Sequence, residues 1–300
     1  MDINSIVSEV GSVLKGKDDV ITYSLVCFLS GGHLMLEDVP GVGKTTLALA
    51  LSRVLGLSFG RIQFTSDLLP SDIVGVSIYD QSKKSFVFRQ GPIFHNIVLA
   101  DEINRATPKT QSALLEAMAE GKVSVDGITY ELPHPFFVMA TQNPVEQYGT
   151  YPLPESQLDR FSMRLSIGYP DHQTEVQVIR GENPFERIER LNTIAKVQDI
   201  TSTIQQIKRF YVSPDVGNFV IEIVSQVRSH PDVILGISTR GAIHLISCAK
   251  ALAYTKGRDF VVPDDVIELV PLTLSHRIIT KDNTNPKTII EEILKKVEVP

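Results

Sequence analysis

Short continuous apolar runs alternate with apolar positions spaced three and four apart over the first half of the chain, and only the second pattern continues beyond it. Runs at Leu34 to Glu37, Arg61 to Thr65, Ile97 to Asp101, Phe136 to Thr141 and Met163 to Ile167 predict strands, with helices at Lys44 to Leu55 and Pro108 to Glu120. Such alternation implies an α/β fold with a parallel sheet covered by helices. Pro108 suits a first helical turn, and Gly121 suits the stop. From Lys122 to Leu132 apolar and polar positions alternate about Asp126-Gly127, which predicts a β-hairpin, and a second hairpin is read from Val76 to Arg89 with its turn near Gln81 to Lys84.

After about Gly181 the strand runs stop, and the polar stretch Glu182-Asn183-Pro184-Phe185-Glu186 marks a junction between an αβα domain over 1–181 and an all-α domain over 182–300. One helix opens at Ser213-Pro214-Asp215 and carries Val216, Phe219, Val220, Ile223 and Val227 on one stripe. A second runs from Thr239 through Ile243, Ile246, Ala249 and Leu252, and a third starts at Pro263-Asp264-Asp265.

Composition sharpens this picture. Three hundred residues, 43% hydrophobic and 21% charged, suffice for two ordinary globular cores. The net charge is −6 and the densest cationic runs are pairs such as Lys83-Lys84 and Lys295-Lys296, so a nonspecific grip on nucleic acid is not expected. Cys27 and Cys248 sit in apolar surroundings and read as structural thiols rather than a disulfide or metal site. Neither a signal peptide nor a membrane span is read from the hydropathy pattern, which predicts a cytoplasmic protein.

Candidate chemistry is concentrated at strand ends. The strand at Leu34 runs into Gly41-Val42-Gly43-Lys44-Thr45-Thr46, a phosphate-binding loop: the glycines let successive amides point at one spot, and the helix beginning at Lys44 adds its positive dipole end. Lys44 suits the β and γ phosphates of a nucleotide and Thr45 suits magnesium. Asp38 stands where the usual pattern has a glycine. The strand at Ile97 ends in Asp101-Glu102, an acid for magnesium and an acid to polarise water. A third strand ends at Asn143, placed to hold a phosphate or the attacking water. Arg105, Arg160 and Arg240 stand out as permanently charged planar forks suited to phosphate.

The order Lys44-Thr45, Asp101-Glu102, Asn143, Arg160 and then a helical domain with Arg240 resembles AAA+ ATPases. More narrowly, Leu-Glu-Asp-Val-Pro-Gly-Val-Gly-Lys-Thr, Ala-Asp-Glu-Ile-Asn-Arg-Ala, Ala-Thr-Gln-Asn-Pro and Leu-Pro-Glu-Ser-Gln-Leu-Asp-Arg-Phe are similar to the MoxR family. Family members often have Ser-Pro-Arg where this chain has Ser238-Thr239-Arg240. The resemblance implies a nucleotide-binding core with strand order 5-1-4-3-2 and two inserted hairpins, a helical lid, and a hexameric homo-oligomeric ring. It further implies ATP and Mg2+ as ligands, with adenine between the domains and the segment around Val13 to Val20, including Gly16, lining its pocket. Glu102 and Asn143 then align water, Arg160 serves the neighbouring subunit's site, and Arg240 acts as a sensor of the nucleotide. A protein client carrying a von Willebrand A type domain is the implied partner, the alternative being a nucleic-acid motor or loader.

Overall fold

The computed structural model describes residues 1–144, 149–180, 184–282 and 284–300; Gly181, Glu182 and Asn183, where the sequence places the junction, lie outside them. Its strands are β1 (Leu34–Glu37), β2 (Phe59–Gln63), β3 (Gly75–Asp80), β4 (Ser85–Gln90), β5 (Ile97–Asp101), β6 (Lys122–Val125), β7 (Ile128–Glu131), β8 (Phe137–Gln142), β9 (Met163–Leu165), β10 (Val233–Leu235) and β11 (Ile279–Thr280). Its helices are α1 (Ile3–Gly11), α2 (Asp18–Leu29), α3 (Lys44–Val54), α4 (Pro70–Val74), α5 (Pro108–Glu120), α6 (Glu155–Leu158), α7 (His172–Ile179), α8 (Pro184–Glu189), α9 (Val197–Lys208), α10 (Pro214–Ser229), α11 (Thr239–Thr255), α12 (Pro263–Leu274) and α13 (Pro286–Leu294).

The five apolar runs form one five-stranded sheet in the order β2-β5-β8-β1-β9, the order that the resemblance implies. Burial on both faces explains why the β5 and β8 runs are continuous rather than alternating: Ile97 to Ala100 and Val138 to Ala140 are wholly buried, whereas β2 alternates buried and exposed positions. β2 pairs parallel with β5 from Phe59↔Ile97 to Gln63↔Asp101, and β5 pairs parallel with β8 from Ile97↔Phe137 to Ala100↔Ala140. This register brings the carboxyl ends of the three strands level, the edge at which open parallel sheets bind ligands.

Both hairpins form. β3 pairs antiparallel with β4, and β6 with β7 through a two-residue turn in which Asp126 and Gly127 take φ +53° and +78°, the double left-handed turn that Asp-Gly favours. Phe88 of β4 stacks on Tyr130 of β7 with ring centroids 4.2 Å apart.

Two compact units divide the chain, one comprising Met1–Thr22, Met35–Leu153 and Ser166–Thr201, the other Tyr23–Leu34, Pro154–Leu165 and Ser202–Pro300. In the second, α10 opens at Ser213, whose hydroxyl accepts from the Val216 amide at 3.2 Å, and buries the expected stripe from Val216 to Val227. This helical region departs from expectation twice. β10 and β11 pair antiparallel, and with three and two residues they are too short for a period to be read. The buried stripe of α11 runs through Gly241, Ala242, Leu245, Cys248 and Leu252, leaving Ile243 exposed, because small residues rather than the isoleucine face the packed side. Cys27 and Cys248 are free and buried, and burial pushes the Cys248 thiol up to about 11, well away from the reactive thiolate form.

Candidate nucleotide site

The turn after β1 has the backbone that its glycines permit. Gly41 and Gly43 take φ +85° and +101°, and a Cβ on Gly43 would stand 2.9 Å from Leu14 Cδ1, so that position accepts no side chain without strain. α3 begins at the next residue, Lys44, with no side-chain cap on its first amides, which leaves them to an anion. Lys44 Nζ donates to the carbonyls of Asp38 at 2.7 Å and Val39 at 3.0 Å, folding back over its own loop. Burial lowers its pKa, and the charges of Asp38, Asp101 and Glu102 oppose that shift; Asp101 and Glu102 line the same cleft as Lys44.

Those acids are held in one network. Thr141 Oγ1 on β8 donates to Asp101 Oδ1 at 2.7 Å and accepts from the Glu102 amide at 2.8 Å. Arg61 on β2 donates to Asp101 Oδ2 at 2.6 Å. Glu102 takes the left-handed conformation with φ +56°, rare for a side-chain-bearing residue and a form of strain found at functional sites. Its Oε2 accepts from Gln63 Nε2 at 2.9 Å and lies 3.1 Å from Arg105 Nε.

One cleft of about 380 Å³ is lined by Gly41, Gly43, Lys44, Thr45, Thr46, Asp101, Glu102, Thr141 and Asn143 together with Arg61. A second pocket of about 450 Å³ shares Gly41, Gly43 and Thr46 with it and is walled by Val13, Leu14, Val42, Tyr169, Pro170 and Ile179, with Lys15, Lys17, Thr174 and Glu175 also present. A cleft lined by two cations and two acids therefore abuts a largely apolar pocket across the same loop, wholly within the first unit. Gly16 itself is a turn residue at φ +69°.

Eight of the residues singled out at strand ends thus meet at one cleft, and Val42 lies beside it. Arg105 pairs with Glu102, whereas Arg160 and Arg240 belong to the second unit, where Arg240 Nη1 lies 3.5 Å from Asp159. Arg61, Gln63 and Thr141 escaped the sequence reading. The signal for the first two was present in the exposed alternate positions of β2, which place both on one face at the strand's carboxyl end.

Comparison with known proteins identifies the family and the fold. Residues 33–163 match the model of the ATPase family associated with various cellular activities (AAA), and residues 225–296 match the AAA lid domain. The chain is 48% identical to the uncharacterized protein YeaC of Bacillus subtilis (98% of this chain, 93% of the relative) and 40% identical to the chaperone MoxR1 of Mycobacterium tuberculosis (97% and 81%). A crystal structure from Cytophaga hutchinsonii superposes with a TM-score of 0.91 at 40% identity, covering 100% of this chain and 95% of that one. Family model, lid and relatives matched over nearly the whole chain coincide on the fold, and the chain belongs to the MoxR family of AAA+ ATPases.

Proposed function

We propose that this ATPase cleaves ATP to ADP and phosphate at the subunit interfaces of a homo-oligomeric, hexameric ring, and that turnover drives remodelling or assembly of partner proteins. The observation that carries the reading is the convergence of Lys44, Asp101, Glu102 and Asn143 on a cleft that shares its loop with an apolar pocket. A triphosphate suits the first space and a nucleobase the second.

The donor set suits magnesium. Nucleotide-bound magnesium takes only one or two protein oxygens and fills its shell with phosphate and water. Thr45 and Asp101 line the cleft as such a pair, and among the described residues no larger group of metal-ligating side chains assembles. When bound, the ion neutralises charge on the phosphates. The protein's own part is positional: loop amides and Lys44 hold the phosphates, Asn143 orients water, and Glu102 polarises it once its carboxylate turns from Gln63 and Arg105. Arg160 serves the next subunit's nucleotide, where such a finger is worth ~10³ to 10⁵ in rate, and Arg240 reports the nucleotide to the lid.

The partner reading draws on the relative that is named a chaperone and on the hairpins, which expose Tyr79, Phe86 and Ile128 as a surface for a client such as a von Willebrand A domain protein. The absence of a basic block leaves a nucleic-acid motor without support. Among the described residues no helix is long and apolar enough to cross a membrane; with two unpaired thiols, this accords with a cytoplasmic site of action.

The test is phosphate release per subunit against protein concentration. It should rise as rings assemble and be indifferent to added DNA. Activity that is full in the monomer, or that appears only with DNA, would overturn the proposal.

A further inference from the structure

Arg160 follows helix α6 in a short connection and must stand at a fixed place if another subunit is to use it. The residues on either side of it are held by one guanidinium. Arg277, its side chain 2% exposed, donates from Nε to Asp159 Oδ1 at 2.9 Å. Its Nη2 donates to the main-chain carbonyls of Asp159 at 3.3 Å and of Phe161 at 2.7 Å. The remaining nitrogen, Nη1, donates to the Thr273 carbonyl within Arg277's own segment. His276 Nε2 lies 3.1 Å from the same Phe161 carbonyl.

Further ties close the seat. Ser238 Oγ donates to Asp159 at 3.0 Å, Ser162 N donates to the His33 carbonyl at 2.8 Å, and Ser162 Oγ lies 2.6 Å from His244 Nδ1. The Phe161 ring is fully buried. Helix α11 is thinned where the guanidinium passes: a Cβ on Gly241 would come within 2.9 Å of Arg277 Cδ. A buried ion pair is weak evidence of a purely stabilising role, since well-packed apolar side chains often do as well. What arginine alone supplies is a rigid planar fork, here gripping a carboxylate and two carbonyls that bracket a single residue.

We propose that Arg277 is a positioning residue for Arg160, fixing the place from which Arg160 reaches the neighbouring subunit's nucleotide. The inference rests on the reading of Arg160 as a residue acting in trans. Removing the fork then affects turnover at the neighbour's site and not nucleotide binding in the subunit that carries the change.

The experiment uses Arg277→Lys, which keeps the charge and loses the fork, beside Arg160→Ala, each alone and mixed with Glu102→Gln subunits that cannot turn over but carry an intact seat and finger. Arg277→Lys rings should lose about 10²-fold in kcat with KM for ATP unchanged, the scale of a small misplacement of a catalytic group. Mixing with Glu102→Gln should restore turnover, as it does for Arg160→Ala. An unchanged kcat, or a loss that mixing does not restore while Arg160→Ala is restored, overturns the role of Arg277. Failure to restore Arg160→Ala itself overturns action in trans, and this inference with it. If Arg277→Lys does not assemble, Gly241→Ala takes its place, since it presses a methyl on Arg277 Cδ and removes none of its hydrogen-bonding partners. Turnover lost alone and restored by mixing then supports the role of Arg277, and turnover unchanged or not restored overturns it.

Discussion

Asp38 shows how one side chain can substitute for a glycine in a phosphate loop. Its buried carboxylate accepts from Ser166 Oγ at 2.7 Å and from the amides of Ile167 at 2.6 Å and Gly168 at 3.1 Å, while its carbonyl accepts from Lys44. The loop's entry is thereby tied to the segment leading to Tyr169 and Pro170 at the apolar pocket. Asp38→Gly should restore the common motif yet weaken the protein, because it strands buried donors at a cost of about 1 to 3 kcal/mol each. Urea unfolding should show a lowered midpoint, and an ATP titration a raised Kd; a variant as stable and as tight as the parent would contradict this role. Lys44→Ala removes the cation that shares the cleft with Asp101 and Glu102 and should abolish measurable ATP binding by isothermal calorimetry while leaving the unfolding midpoint near that of the parent.

At the scale of elements, legibility followed physical cause. β1, β5 and α5 match their sequence-read bounds because each is delimited by a local signal: a turn glycine, a pair of acids, a proline start and a glycine stop. β2 lies two residues earlier than its apolar run implied, since pairing with β5 from Phe59↔Ile97 sets its register. The residues that line the cleft from β5 and from the segment after β8 could be singled out because an apolar run there gives way to acids or an amide. Arg61 and Gln63 carried only the weak signal of their alternate positions in β2, and Arg277 and the partners of the Asp38 carboxylate carried none, because they act through pairings between distant segments that no spacing encodes. The β3–β4 hairpin offers a test of its own, for Tyr79 and Phe86 pair edge-to-face at 5.4 Å while Phe86 is 73% exposed. Phe86→Ser should change stability by no more than about 0.5 kcal/mol and lower ring assembly or client-stimulated turnover. A large loss of stability, or no effect on either readout, would show that the hairpin face is not a contact surface.

For the whole molecule, the second unit carries a pH dependence that its buried histidines dictate. Burial, aided by the positive charge of Arg277, holds His244 at about 4 against the attraction of Asp159, with His33 and Arg240 adding to the depression; burial and the charge of Arg277 lower His276 as well. In the unfolded chain both titrate near 6.5. The unfolded state therefore binds more protons between these values, so stability is intact above about pH 6.5 and falls as pH drops toward 4. Urea midpoints at pH 7.5, 6 and 5 should decline in that order, and His244→Asn should flatten part of the slope; midpoints constant to pH 5 would contradict neutral burial of these rings.

A single nucleotide served by Lys44, Asp101, Glu102 and Asn143 is tested most directly by measuring ATP binding and phosphate release with Glu102→Gln. The variant should bind ATP with a Kd close to the parent's and release phosphate about 10² to 10⁴ times more slowly, the range expected for loss of a general base. Turnover at the parental rate, or loss of ATP binding along with turnover in a folded variant, would contradict a shared site.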